Sequence, residues 1–355
     1  MERKKTKKVM VGNIPIGYGN PIAIQTMWDK PIQFFNKSLI DEISELHTLG
    51  CDIIRFSAQS EADIKILGKL VQESPMPIVA DIHFDYKLAL KSIEAGVQKI
   101  RINPGNIGAE WKVREIIHAA ADKNCAIRIG LNGGSLPLKL RKNKNRSEAM
   151  IFLVEEYINL FVSEAFENII VSLKDSDHET TYNVNKLFSQ KFNYPLHLGV
   201  TEAGPIIPSV ARSAFTLGRL LNEGIGDTMR ISITGSLKDE IIAGKEILKM
   251  LNLQESGIQL ISCPKCGRSG FDTHWFVTEM QDYFQSITHN ISIAVMGCAV
   301  NGPGEASHAD MGITGIGKEV CIFRKGEIVR KTTIQNCKHE FMEELQKVIN
   351  EKTNN

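Results

Sequence analysis

The chain has 355 residues, roughly two domains' worth, with 43% hydrophobic and 23% charged residues, which excludes both a single small module and a disordered chain. Lys and Arg number 42 against 41 Asp and Glu, a net charge of +1 at pH 7, so no global field draws nucleic acid or an anionic membrane. The uncharged stretch Asn290 to Gly304 is broken by Gly297, Gly302, Pro303 and Gly304, and no run reaches the ~18 apolar residues of a spanning helix. No membrane insertion is expected.

At the amino end, Arg3, Lys4, Lys5, Lys7 and Lys8 form a basic run without the apolar core or cleavage pattern of a signal peptide, and a solvated tail is expected. From Ile22 to Met250 one unit recurs eight times: a short β-branched run, a polar loop and an amphipathic helical stretch. The strand candidates are IAIQTM (22–27), DIIRF (52–56), PIVADI (77–82), KIRI (99–102), AIRI (126–129), NIIV (168–171), LHL (196–198) and TMRI (228–231). In the first helix Ser38 and Asp41 have capping-box spacing, Leu39, Ile43, Leu46 and Leu49 recur at helical spacing, and Gly50 marks the stop. Ser60 with Asp63 repeats the start signal.

Eight βα units in roughly 230 residues predict an N-terminal (β/α)8 TIM barrel. An open doubly wound sheet is the alternative, weakened because neither G-x-G-x-x-G nor G-x-x-x-x-G-K-[ST] occurs. The barrel is expected over residues 1–253. Beyond the polar NLQESG segment (252–257), a smaller α/β domain is expected over 254–355, with a terminal helix from about Lys338 to Asn350.

In such a barrel the active site lies at the carboxyl ends of the strands. There the sequence places Arg55, then Asp81 and His83, Arg101 and Asn103, Arg128 and Asn132, Ser172 and Lys174, His197 and Glu202, and Arg230 and Ser232. Five cations (Arg55, Arg101, Arg128, Lys174, Arg230) would repel one another in an empty mouth, a cost that makes sense if a phosphate or diphosphate fills it. The loops NPGNIG (103–108) and NGGS (132–135) would bring backbone N–H groups to the same anion. The plainer reading makes each cation a structural partner of a neighbouring acid. A lone histidine at a strand end is more often a structural hydrogen-bonder than a catalyst, which applies to His83 and His197. Glu202, in the loop GVTEAGP, is the candidate proton donor if its carboxyl is partly desolvated.

Seven cysteines, an odd number in a long chain, favour a reducing cytoplasm and metal or catalytic thiols over disulfides. Cys263 and Cys266 in SCPKCGR have the C-x2-C spacing that lets two thiolates reach one metal, and Cys298 in MGCAVNGPGEA adds a third beside glycine amides suited to sulfur. Cys51, Cys125, Cys321 and Cys337 read as buried, inert thiols. Glu305, across the NGPG turn, is the candidate fourth ligand. As a hard, weak ligand for iron it would leave one iron exchangeable and open to substrate.

With VADIHFDYKLAL (79–90), KIRINPGNIG (99–108), IRIGLNGGSL (127–136), HLGVTEAGP (197–205), GIGDTMRISITG (224–235), SCPKCGR and MGCAVNGPGEA in place, the chain resembles, nearly end to end, the bacterial two-domain 4-hydroxy-3-methylbut-2-enyl diphosphate synthases of the methylerythritol phosphate route to isoprenoids. The resemblance implies an oxidoreductase with a 4Fe-4S cluster on Cys263, Cys266, Cys298 and Glu305. It implies reductive opening of 2-C-methyl-D-erythritol 2,4-cyclodiphosphate, with electrons from ferredoxin or flavodoxin. A head-to-tail homodimer completes the site in that family. By position, Arg55, Arg101, Asn103, Arg128, Asn132, Lys174 and Arg230 would hold the diphosphate, joined by Asp81 and Ser232 at the same strand ends, and Glu202 would supply a proton. Departures from the family pattern fall in QTMWDKP (25–31, with Trp28), RFSAQS (55–60, with Gln59) and LKDSDHE (173–179, with Asp175).

Two other functions compete. A pterin-binding type of barrel synthase or methyltransferase would use similar strand-end residues but has no need of the three thiols and Glu305. A zinc-stabilised binding module with a lysine tail on nucleic acid would want basic and aromatic interleaving that the chain lacks.

Overall fold

Val9 and Val11 face Ile16 across a two-stranded antiparallel hairpin, β1 (Val9–Val11) and β2 (Ile14–Ile16), with Gly12 in the left-handed region at the turn. The computed structural model describes residues 3–353 apart from 138–139, 141–144, 255–256, 265, 268, 299–301, 303, 305 and 318. The chain divides into two units, residues 1–254 and 255–355.

In the first unit the eight expected strands all form: β3 (Ala23–Met27), β4 (Ile53–Ser57), β5 (Ile78–Asp81), β6 (Lys99–Ile102), β7 (Ala126–Asn132), β8 (Ile169–Lys174), β9 (His197–Leu198) and β10 (Thr228–Met229). They pair in parallel in the order β8-β7-β6-β5-β4-β3-β10-β9, and a parallel bridge from Val171 to Leu196 joins the two ends. That closure makes the sheet a TIM barrel and removes the open-sheet alternative. β9 and β10 are two residues long, shorter than their apolar patterns suggested.

The hairpin closes the amino end of the barrel. Val9, Val11 and Ile16 pack on Ala23, Ile53, Val79, Ala126 and Ile170, all near the starts of their strands. The preceding basic run is correspondingly not a solvated tail. Arg3 Nη2 lies 3.3 Å from Asp227 Oδ1, Thr6 Oγ1 donates to the same oxygen (3.1 Å), and Lys4 Nζ donates to the Phe192 carbonyl (2.8 Å). Asp227 is buried and needs those donors. A sequence reading sees only the local charge run, because the partner lies more than 200 residues away.

The first helix starts at Lys37 on an Asn36 cap whose side chain accepts from Leu39 N (2.9 Å), so the capping box expected of Ser38 and Asp41 is not used. The second, on Ser60 and Asp63, forms reciprocally. Gly50 ends the first helix at φ 111°.

The second unit is a five-stranded mixed sheet. β11 (Ile258–Ser262), β12 (Ile291–Met296) and β13 (Met311–Ile316) run parallel, and β14 (Glu319–Arg324) and β15 (Glu327–Thr332) add antiparallel. Helices Thr273–Ser286 and Cys337–Thr353 contribute to its core, where Phe276 meets Phe341 edge to face at 5.2 Å. The last helix is longer at both ends than expected. Among the described residues no helix is long and apolar enough to cross a membrane.

Candidate active site

Because side chains alternate along a strand, every second residue of the barrel strands points inward, and the last inward position of each meets the mouth. Asp81 ends β5 and sits between cations: Arg101 Nη1 is 3.3 Å and Arg55 Nε 3.8 Å from its carboxylate, with His83 Nε2 at 3.6 Å. Burial alone would raise the Asp81 pKa, but Arg55, Arg101 and Arg128 together hold it below the usual carboxylate value. Arg55 is pushed down to about 10 by burial, opposed by Asp81 and reinforced by Arg230 and Arg101.

Arg230 has a partner the sequence reading missed. Glu240, on the helix Leu237–Met250, accepts from Arg230 Nη2 (2.8 Å) and Nε (3.1 Å), from Thr26 Oγ1 (2.6 Å) and from Ile233 N (3.1 Å). This fork-to-fork pair fixes the guanidinium plane and ties β10 to β3. Nothing local marks Glu240; its spacing from Arg230 resembles that of any helical acid.

Arg128 and Lys174 are different. Both are buried, and among the described residues neither has an acid within ion-pair distance. Arg128 Nε and Nη1, and Arg101 Nε, have no hydrogen-bond partner among the described residues. Burial first, then the neighbouring arginines, lower the pKa values of Arg128 and Lys174 far below normal. The structural-partner reading therefore holds for Arg55, Arg101 and Arg230, but not for these two. Five cations thus face two carboxylates, and buried donors are left unpaired among the described residues, an excess of positive charge whose chemistry suits a multiply charged anion.

The other strand-end residues divide by depth. His197 is fully buried, its Nδ1 3.4 Å from Thr228 Oγ1, and burial with Lys174, Arg128 and Lys99 close by keeps it neutral. It belongs to a polar layer beneath the mouth with Lys99, whose Nζ donates to Gln25 Oε1 (3.0 Å). Asn103 and Asn132 meet through Ser135: Asn103 Nδ2 is 3.4 Å from Ser135 Oγ, which donates to the Asn132 carbonyl (2.8 Å). The Gly105 N–H donates to Asn103 Oδ1 (3.2 Å), so this amide of the 103–108 loop caps its own turn instead of facing outward. The Ser232 carbonyl accepts from Ser209 Oγ (2.8 Å) and its side chain is half-buried. Glu202 sits at φ 55° on the rim and is exposed, so the partial desolvation expected of its carboxyl is not met in this chain. A cavity of about 510 Å³ opens beside Arg230 and His83, lined also by Met27, Ser57 and two of the departing residues, Trp28 and Gln59.

In the second unit the thiols also gather at the carboxyl ends of parallel strands. Ser262 pairs with Val295, so Cys263 and Cys298 follow the ends of neighbouring strands β11 and β12. Cys263 Sγ accepts the Gly297 N–H at 3.1 Å, the kind of amide contact that stabilises a metal-bound thiolate. A Cβ at residue 297 would collide with Ser269 Oγ and stand 3.5 Å from Cys263 Sγ, so glycine is needed for the approach. Cys263, Cys266 and Cys298 form no disulfide and are half-buried, exposed and buried respectively. Glu305 lies outside the described residues, and among the described residues no group of three or more His, Cys, Asp and Glu side chains is drawn together as a metal site. The donor chemistry nevertheless fits a soft metal or an iron-sulfur cluster: three cysteines outside any disulfide on neighbouring loops, one already accepting a backbone amide. Burial raises Cys51 and Cys125 to about 12, which leaves them inert, and Cys321 and Cys337 are buried.

Fold and mouth together define a TIM-barrel protein with a cation-lined mouth and a thiol-bearing α/β unit. Its barrel is shared with distant relatives: Yersinia pestis dihydropteroate synthase superposes with a TM-score of 0.51 at 12% identity, covering 69% of this chain and 98% of that one. That likeness shows the fold alone. A family model of the GcpE TIM-barrel domain matches residues 6–245, and one of the GcpE protein C-terminal domain matches residues 259–347. The chain belongs to the GcpE family. Relatives named 4-hydroxy-3-methylbut-2-en-1-yl diphosphate synthase (flavodoxin) include those of Geobacter sulfurreducens, 42% identical over 99% of both chains, and Clostridium perfringens, 45% identical over 98% of this chain and 99% of that one.

Proposed function

We propose that this protein is an oxidoreductase that converts 2-C-methyl-D-erythritol 2,4-cyclodiphosphate to 4-hydroxy-3-methylbut-2-enyl diphosphate, with flavodoxin as electron donor. The observation that carries the reading is the cationic mouth, where Arg128 and Lys174 are buried without an acid, in a chain that matches the diphosphate synthases over nearly its full length. The barrel is the substrate-binding domain, and residues 254–355 the cluster-binding domain. Two electrons and a proton open the cyclic diphosphate and release a hydroxyl as water.

Arg55, Arg101, Arg128, Lys174 and Arg230 hold the diphosphate, with Asn103, Asn132 and Ser232 as neutral donors. Asp81 keeps Arg55 and Arg101 aimed, as Glu240 does Arg230. Glu202, on the rim, hands over the proton. The ligands Cys263, Cys266, Cys298 and Glu305 would hold a 4Fe-4S cluster, which supplies single electrons and an iron site open to substrate. Seven cysteines outside any disulfide suit a reducing cytoplasm, and a head-to-tail homodimer is the assembly this reading expects.

The test is anaerobic purification followed by iron, sulfide and zinc analysis, then an assay with cyclodiphosphate and reduced flavodoxin. About four irons and four sulfides per chain, with formation of the linear diphosphate, are expected. Zinc without sulfide would overturn the cluster.

A further inference from the structure

The residue just past β8 departs from the family pattern, and its surroundings give it a task. Asp175 has a carboxylate with 1% of its side chain exposed. Arg146 Nη1 reaches both its oxygens, at 3.1 and 3.0 Å, and the Asp177 N–H donates to Oδ1 at 2.9 Å. Its backbone is tied as well: Asp175 N donates to Thr181 Oγ1 (3.0 Å), and the Asp175 carbonyl accepts from Thr201 N (3.4 Å), the residue before Glu202. On the β7 side the carboxylate fills the space in front of Gly133, where a Cβ would collide with Asp175 Oδ2 and stand 3.2 Å from Arg146 Cδ. Asp175 thus meets the loops after β7 and β8 with its side chain and the loop after β9 with its carbonyl.

We propose that Asp175, clasped by Arg146, is a positioning residue for anion binding, locking the loop that begins at Asn132 against the strand end that carries Lys174. The inference rests on the reductase reading, and deepens it by giving a role to Asp175, a departure from the family pattern, and to its partner Arg146.

Charge explains why the pair is needed. A lone carboxylate next to Lys174 would oppose the field that holds a diphosphate, and a buried one would also lack compensation. Arg146 cancels that charge from the solvent side, its own side chain 47% exposed, and leaves Lys174 free for the ligand. The two partners are therefore unequal. Removing Arg146 leaves a buried negative charge beside the anion site, whereas removing the Asp175 charge leaves only a solvated guanidinium.

The experiment is calorimetric titration of the anaerobically purified full-length protein with inorganic diphosphate, alongside steady-state kinetics with the cyclodiphosphate. Arg146→Gln is expected to weaken diphosphate binding about tenfold, and Asp175→Asn about threefold. KM for the cyclodiphosphate should rise in parallel while kcat stays within about twofold. The double variant Arg146→Gln with Asp175→Asn should bind better than Arg146→Gln alone, and Arg146→Lys should recover most of the affinity. Unchanged Kd and KM in Arg146→Gln would overturn the inference, as would a fall in kcat at constant KM, the mark of a merely structural pair that lowers the active fraction. If the parent protein neither binds diphosphate nor turns over the cyclodiphosphate, the reductase reading falls and this inference with it. If the parent does both and the variants match it, the inference alone falls.

Discussion

The barrel mouth and the thiol-bearing strand ends of the second unit obey the same rule, functional groups at the carboxyl ends of parallel strands, yet they are assembled differently. At the mouth the cations stand on the strands themselves or one residue beyond, three of them held by Asp81 and Glu240, and all surrounded by a closed barrel. The thiols stand on loops, where Cys263 accepts the Gly297 amide. Strand-borne groups are positioned by folding alone; loop-borne ligands leave part of the ordering to whatever they bind.

The largest test of that difference is Cys298→Ala. It should abolish the iron-sulfur absorption and all turnover, while circular dichroism and diphosphate binding remain, because the two units have separate cores. Loss of diphosphate binding in this variant would show that the mouth also depends on the cluster. Next in size is Glu202→Gln, expected to keep the absorption spectrum and diphosphate affinity but to slow kcat by ~10² to 10⁴. Undiminished turnover would remove Glu202 from the proton transfer. The smallest effect concerns protons. Burial and neighbouring cations lower the Lys174 pKa in the free protein, and an anion raises it again, so the complex holds more protons than its parts. Diphosphate affinity should therefore weaken as pH rises past the lowered pKa, and binding enthalpies in Hepes and Tris should differ by the amount due to proton uptake.

How much of this was legible in the sequence follows from the range of each interaction. Strand-end cations such as Arg101 and Arg128 could be read because period-two alternation and the carboxyl-end rule are local. The partner of Arg230 could not, since Glu240 is one acid among several on its helix and only the fold turns it inward. Nor could the hairpin β1–β2, whose apolar residues find their cover on five different barrel strands. The cap of the first helix went to Asn36 over Ser38 by a shift of two residues, the scale on which competing polar side chains decide a start. Glu202 was placed on the correct loop, but whether a loop carboxyl is wet or dry depends on what covers it, and spacing carries no such information.

The hairpin under the barrel has a consequence for how the chain is made. Its valines and Ile16 leave the ribosome well before Ile170, which they cover, and Arg3 well before Asp227, which receives it. The hairpin cannot complete its packing until most of the barrel has emerged, which makes its docking a late step in folding.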